Sequence, residues 1–154
     1  MFCKMTEEQH QFIEDLGQHM TTWGLPRTTG RIYGYLLLRM EPASLDEIAS
    51  ALEMAKSGAS VAARQLVALG LARSRSQPGS RRVLFEALYS LEAIFVARNS
   101  QASELLARLR QGARVAPDGP GRKQLEEMAD MMQDFLNLGP EVLRQLRERE
   151  RSRP

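Results

Sequence analysis

The 154-residue chain has little of what most catalytic and metal-binding sites are made from. Its single cysteine, Cys3, leaves no partner for an intramolecular disulfide and no cysteine-rich zinc site, a composition that fits a reducing compartment. The two histidines, His10 and His19, are too far apart to form the i, i+4 pair of a helical metal site. No apolar stretch approaches the ~18 residues that span a bilayer. The N-terminal MFCKMTEEQH turns acidic at once and lacks the apolar centre of a signal peptide. The expectation is therefore a soluble, cytoplasmic protein with no membrane partner. No nucleophile-base pair, phosphate loop or metal cluster is visible, so neither an enzyme nor a cofactor is expected. Acid is scarce in the middle of the chain, where residues 54–86 carry Glu86 alone against Lys56, Arg64, Arg73, Arg75, Arg81 and Arg82. The formal net charge of +2 thus conceals a basic island behind an acidic first third, and attraction to a polyanion depends on where charge sits.

The apolar residues Phe12, Ile13, Leu16, Met20 and Trp23 recur at helical spacing and predict an amphipathic helix over 6–23, closed by Gly24 and Pro26. A second helix through Arg31 to Met40 is apolar on most sides, as a central core helix should be. Ser44-Leu45-Asp46-Glu47 reads as a capping box that opens a short third helix to about Leu52. Residues 56–69 predict a fourth, with Ala59, Ala62, Ala63, Leu66 and Leu69 on one face and Ser57, Ser60, Arg64 and, near the edge, Gln65 opposite. Gly70 suits the left-handed residue that closes a helix. Alternating character over 71–76, a turn at Gln77-Pro78-Gly79-Ser80 and a returning strand from Arg81 to Phe85 predict a basic hairpin. Helical pattern resumes over 90–112 and 122–138, and Pro140 is expected to open a last charged helix whose RERERSRP end frays.

Three compact helices followed by a two-stranded hairpin make a winged helix-turn-helix. The fold class expected is mainly α with a small β-hairpin wing and a C-terminal helical dimerisation region. The expected division is 1–24, 25–88 and 89–154. A helix of this kind can enter the major groove of double-stranded DNA and show one polar face to base edges, while the hairpin reaches the backbone or the minor groove. The candidate DNA-binding residues are Lys56, Ser57, Ser60, Arg64 and Gln65 on the helix and Arg73, Arg75, Arg81 and Arg82 on the wing. Ser57, Gly58 and Ser60 are small enough to let the backbone approach, and Arg64 is suited either to a guanine or to a phosphate. The plainer alternatives are a solvated hairpin and serines that merely cap.

The stretches GLPRTTGRIYGYLLL, EPASLDEIASALEM and RQLVALGLARSRSQPGSRR resemble the GbsR-type branch of the MarR-like winged helix-turn-helix regulators. The resemblance rests on Gly30-Arg31, on Pro42, Ser44, Leu45, Asp46, Glu47, Ile48 and Ala49, and on Arg64, Leu66, Gly70 and Leu71. It implies a homodimer held largely by terminal helices, a pseudo-palindromic operator, repression as the default, and release by a small-molecule effector. It departs at Ala55, where the family places a serine, so the cap of the fourth helix is expected from elsewhere, with Ser57 the candidate.

The dimer is expected from residues 90–138 with help from the first helix, because these helices carry more apolar surface than one copy covers. An effector is expected near Met20, Trp23 and Phe95, although such spacing also suits simple core. Met128, Met131 and Met132 suit packing between helices. Cys3 has only Lys4 beside it to lower its pKa, which favours an unreactive thiol. The rival reading is a winged-helix module that binds another protein with the same hairpin and helices.

Overall fold

In the computed structural model, residues 4–154 are described; Cys3 lies outside them. The chain divides into two compact units, the first running through Ala93 and the second covering Ile94–Pro154. No described helix is long and apolar enough to cross a membrane.

The first unit begins with α1 (Glu7–Met20), opened by a reciprocal cap in which Thr6 accepts from the Gln9 N–H and Gln9 accepts from the Thr6 N–H. The apolar pattern read as one helix to Trp23 ends in a separate 3-10 turn, Thr21–Trp23, closed by Gly24 in the left-handed conformation (φ 79°). Helix α2 (Arg27–Arg39) packs along α1. Their crossing is close because both faces carry glycine: a Cβ on Gly30 would meet the Gly17 Cα at 2.8 Å. Around that crossing Ile13, Met20, Ile32, Tyr35 and Leu36 form the buried core.

A two-residue strand β1 (Ala43–Ser44) leads into α3 (Leu45–Ala51), and α4 (Lys56–Ala68) follows after a turn. Ala59, Ala62, Ala63 and Leu66 bury the inner face of α4 against α2 and α3. Gly70, with φ 74°, follows the end of α4. The hairpin is β2 (Ala72–Ser76) and β3 (Val83–Ala87), and the sheet order is β1-β3-β2, antiparallel throughout. The returning strand starts at Val83 rather than Arg81. Arg81 and Arg82 therefore belong to the tip, which the Gln77 N–H closes on the Arg82 carbonyl at 3.0 Å.

Residues 90–112 do not form one helix. Helix α5 (Leu91–Arg98) stops at Asn99, and α6 (Ser100–Val115) starts beyond it. Conversely, the two helices expected on either side of Gly139-Pro140 are a single α7 (Pro120–Arg151) with Pro140 in its interior. Proline lacks the N–H that would bond the carbonyl four residues earlier. The continuous covered side formed by Leu125, Ala129, Met132, Leu136 and Leu143 gives the helix a reason to run through. Helix α7 packs on α6 and stays helical through its charged end to Arg151. Gly139 has no room for a side chain, since a Cβ there would overlap the Phe95 ring.

Candidate nucleic-acid interface

Helix α4 carries two faces set by its sequence. Alanines on the inner side let it lie close to α2 and α3, which leaves Lys56, Ser57, Gly58, Val61 and Arg64 exposed and Ser60 half-buried on the outer side. Ala55 provides no side-chain cap, and Ser57 does not replace it. Gln65 stands apart from the other candidates. It is half-buried, and its Oε1 accepts a hydrogen bond of 2.6 Å from the hydroxyl of buried Thr29, which ties α4 to α2.

Val61 was not among the residues singled out by sequence, yet it is 72% exposed at the middle of the outer face. The signal was available: it lies four residues after Ser57 and three before Arg64, which puts all three on one side of a helix. A β-branched side chain there can meet a thymine methyl.

The wing arginines fall into two groups. Arg73 pairs with Glu86, its cross-strand neighbour in the ladder. Arg82 donates to the Ser44 hydroxyl (3.2 Å) and lies 3.7 Å from an Asp46 oxygen, while Lys56 lies 3.1 Å from the other oxygen of Asp46. Arg64, Arg75 and Arg81 have no acidic partner among the described residues. A cleft of about 360 Å³ between the wing tip and the starts of α3 and α4 is lined by Ser44, Asp46, Lys56, Ser80, Arg81 and Arg82.

Ser44 caps α3 by accepting from the Glu47 N–H at 3.2 Å, but the expected reciprocal half of the box is absent. The Glu47 carboxylate accepts from the Ser44 hydroxyl at 3.3 Å through one oxygen and takes Arg39 on the other, and the Arg39 guanidinium also donates to the Tyr35 hydroxyl at 2.8 Å. Burial pushes the Arg39 pKa down, and Tyr35 and Glu47 more than reverse it, so the guanidinium is held charged. These contacts tie α3 to α2.

Met20 and Trp23 are core residues of the first unit, and Phe95, in the second, lies against Gly139. Among the described residues no group of three or more His, Cys, Asp or Glu is placed to hold a metal ion.

The second unit has its own feature. Met128, Met131, Phe135, Leu138, Val142 and Leu146 follow one another at three- and four-residue steps along α7, and they are 48% to 73% exposed. They form an apolar stripe beside the covered side of the helix.

Three helices, a short third strand and a basic two-stranded wing define a winged helix-turn-helix protein. No family model matches the chain. It is 30% identical over 79 residues to the HTH-type transcriptional repressor OpcR of Bacillus subtilis, a match covering 51% of this chain and 42% of that protein. The chain thus spans less than half the length of that relative. It is 29% identical over 140 residues to the HTH-type transcriptional regulator MmpR5 of Mycobacterium tuberculosis, covering 86% of this chain and 83% of that one. A crystal structure of a transcriptional regulator superposes with a TM-score of 0.73 at 27% identity, over 92% of this chain and 99% of its own.

Proposed function

We propose that this protein is a DNA-binding transcription regulator of the MarR-like winged-helix kind, acting in the cytoplasm as a homodimer on a pseudo-palindromic operator. The observation that carries the reading is the common exposure of the α4 outer face and the wing, with Arg64, Arg75 and Arg81 free of acidic partners among the described residues. Free guanidinium groups on a helix and on an adjacent hairpin can neutralise phosphates and reach base edges. The likeness to OpcR and MmpR5 supports it, since both are named as HTH-type regulators.

The motifs of the GbsR-type branch and the repressor name of OpcR favour repression over activation. The α7 stripe supports a second copy as its occupant, because an apolar band of this length is costly to leave in water. A small effector would act by biasing the spacing of the two recognition helices, about 34 Å apart on successive turns of one DNA face.

The test is a mobility-shift titration on DNA upstream of the protein's own gene, at two salt concentrations. Saturable binding that weakens steeply with salt is the expected result. Absence of binding at low salt refutes the reading and leaves the winged helix as a protein-interaction module.

A further inference from the structure

Asp46 joins the consecutive helices α3 and α4 to the wing tip, which is distant in sequence. One carboxylate oxygen lies 3.1 Å from the Lys56 ammonium on α4, and the other lies 3.7 Å from the Arg82 guanidinium at the wing tip. Arg82 also donates to Ser44, the residue that caps α3. All three charged side chains are more than half exposed and border the cleft that Ser80 and Arg81 complete. The Arg73–Glu86 pair is of another kind, being a cross-strand neighbour pair within the hairpin ladder. Asp46 is neither the cap of α3, which is Ser44, nor part of the β1–β3 pairing; its place in the first turn of α3 suits the helix dipole but does not call for the contacts with Lys56 and Arg82.

The two cations it holds border the same cleft as Arg81, which has no acidic partner among the described residues. An exposed ion pair is weak enough to be exchanged for another anion. A phosphate oxygen reaching Lys56 or Arg82 would arrive beside the carboxylate and be repelled by it. We propose that Asp46 is an internal counter-ion that occupies Lys56 and Arg82 in the free protein and competes with backbone phosphate for them, so lowering affinity for DNA of any sequence. The inference rests on the DNA-binding reading above and adds to it a residue that weakens binding. Its consequence is selectivity: the residue suppresses attachment through charge alone, leaving base contacts from α4 to decide where the protein stays.

The experiment measures affinity for a random-sequence duplex across a salt series for the full chain, Asp46→Asn, and Glu127→Gln, which makes the same change of net charge on α7. Asp46→Asn should bind about 3- to 10-fold more tightly at low salt, with a slope of log affinity against log salt steeper by about one unit, the signature of one more neutralised phosphate. Glu127→Gln should gain much less. On a Lys56→Met background the gain from Asp46→Asn should shrink. Thermal melting checks that the variants fold, and Asp46→Ser serves if Asp46→Asn does not. If the wild type binds and Asp46→Asn is unchanged, weaker, or no better than Glu127→Gln, Asp46 is not a competitor and the DNA-binding reading stands without it. If neither the wild type nor Asp46→Asn binds any duplex at low salt, the DNA-binding reading itself fails.

Discussion

Gly30→Ala should destabilise the first unit although alanine is the better helix former. A Cβ at this position would lie 2.8 Å from the Gly17 Cα, 3.2 Å from the Leu16 carbonyl oxygen and 3.2 Å from the Met20 Cβ. Two of these three are backbone atoms, so no rotamer change relieves them and α1 must move away from α2. Overpacking of this kind costs about 3 kcal/mol, at the upper end of the usual range because the obstacle is rigid. The gain in helix propensity offsets about 1 kcal/mol of it. The net loss is about 2 kcal/mol, or about 10 °C in melting temperature for a unit of this size. Gly34→Ala is the internal control: its nearest obstacle is the Ile13 Cα at 3.3 Å, and the next is the mobile end of Leu16 at 3.4 Å. There the two effects should nearly cancel. Urea unfolding followed by fluorescence of Trp23, the single tryptophan and a core residue of this unit, reads both variants. Gly30→Ala as stable as the wild type, or less damaging than Gly34→Ala, would refute the close-crossing argument.

Arg64→Ala should weaken binding to a selected operator more than to random DNA, by about 1–3 kcal/mol if the side chain holds a base, whereas replacing Arg81 and Arg82 together should weaken both alike and flatten the salt dependence. Titrations of both duplexes across salt distinguish the two roles. Phe135→Asp, in the middle of the α7 stripe, should convert a dimer to a monomer by light scattering at micromolar concentration; an unchanged mass would remove the stripe from the interface. Burial pushes the Glu14 pKa up, but Arg31 and Arg27 outweigh it and lower it below its ordinary 4.5. A depressed carboxyl stabilises the fold above its unfolded pKa and loses that contribution as pH falls through the folded value. Glu14→Gln should thus cost stability at pH 7, by no more than about 1 kcal/mol for so exposed a pair, and in denaturant titrations the cost should shrink as pH falls below 4.5 and be lost as it passes through the lowered folded value.

The helices of the first unit were legible because burial stamps a three-to-four period on them, and Gly24 and Gly70 mark their ends at the backbone conformations that favour glycine. Strand β1 was not, since two residues carry no period and its pairing with Phe85 and Leu84 depends on a partner forty positions away. Pro140 misled for a related reason: its local preference is real, but the covered side shared by Leu136 and Leu143 outweighs it. The polar face of α4 was legible as a face. Its details were not, because the Thr29–Gln65 bond and the Asp46 pairs join residues that sequence spacing does not bring together.

Strand β1 also bears on the proposed DNA contact, because it limits what the wing would give up on binding. Because β3 is paired on both sides, with β1 and β2, the stem of the hairpin is ordered by the fold itself. Only the tip, residues 77–82, lies outside the ladder. Fixing backbone costs roughly 1–2 kcal/mol of conformational entropy per residue, so an unpaired hairpin would lose much of its grip to ordering its own length. Here that loss is confined to one short turn, the one that carries Arg81 and Arg82.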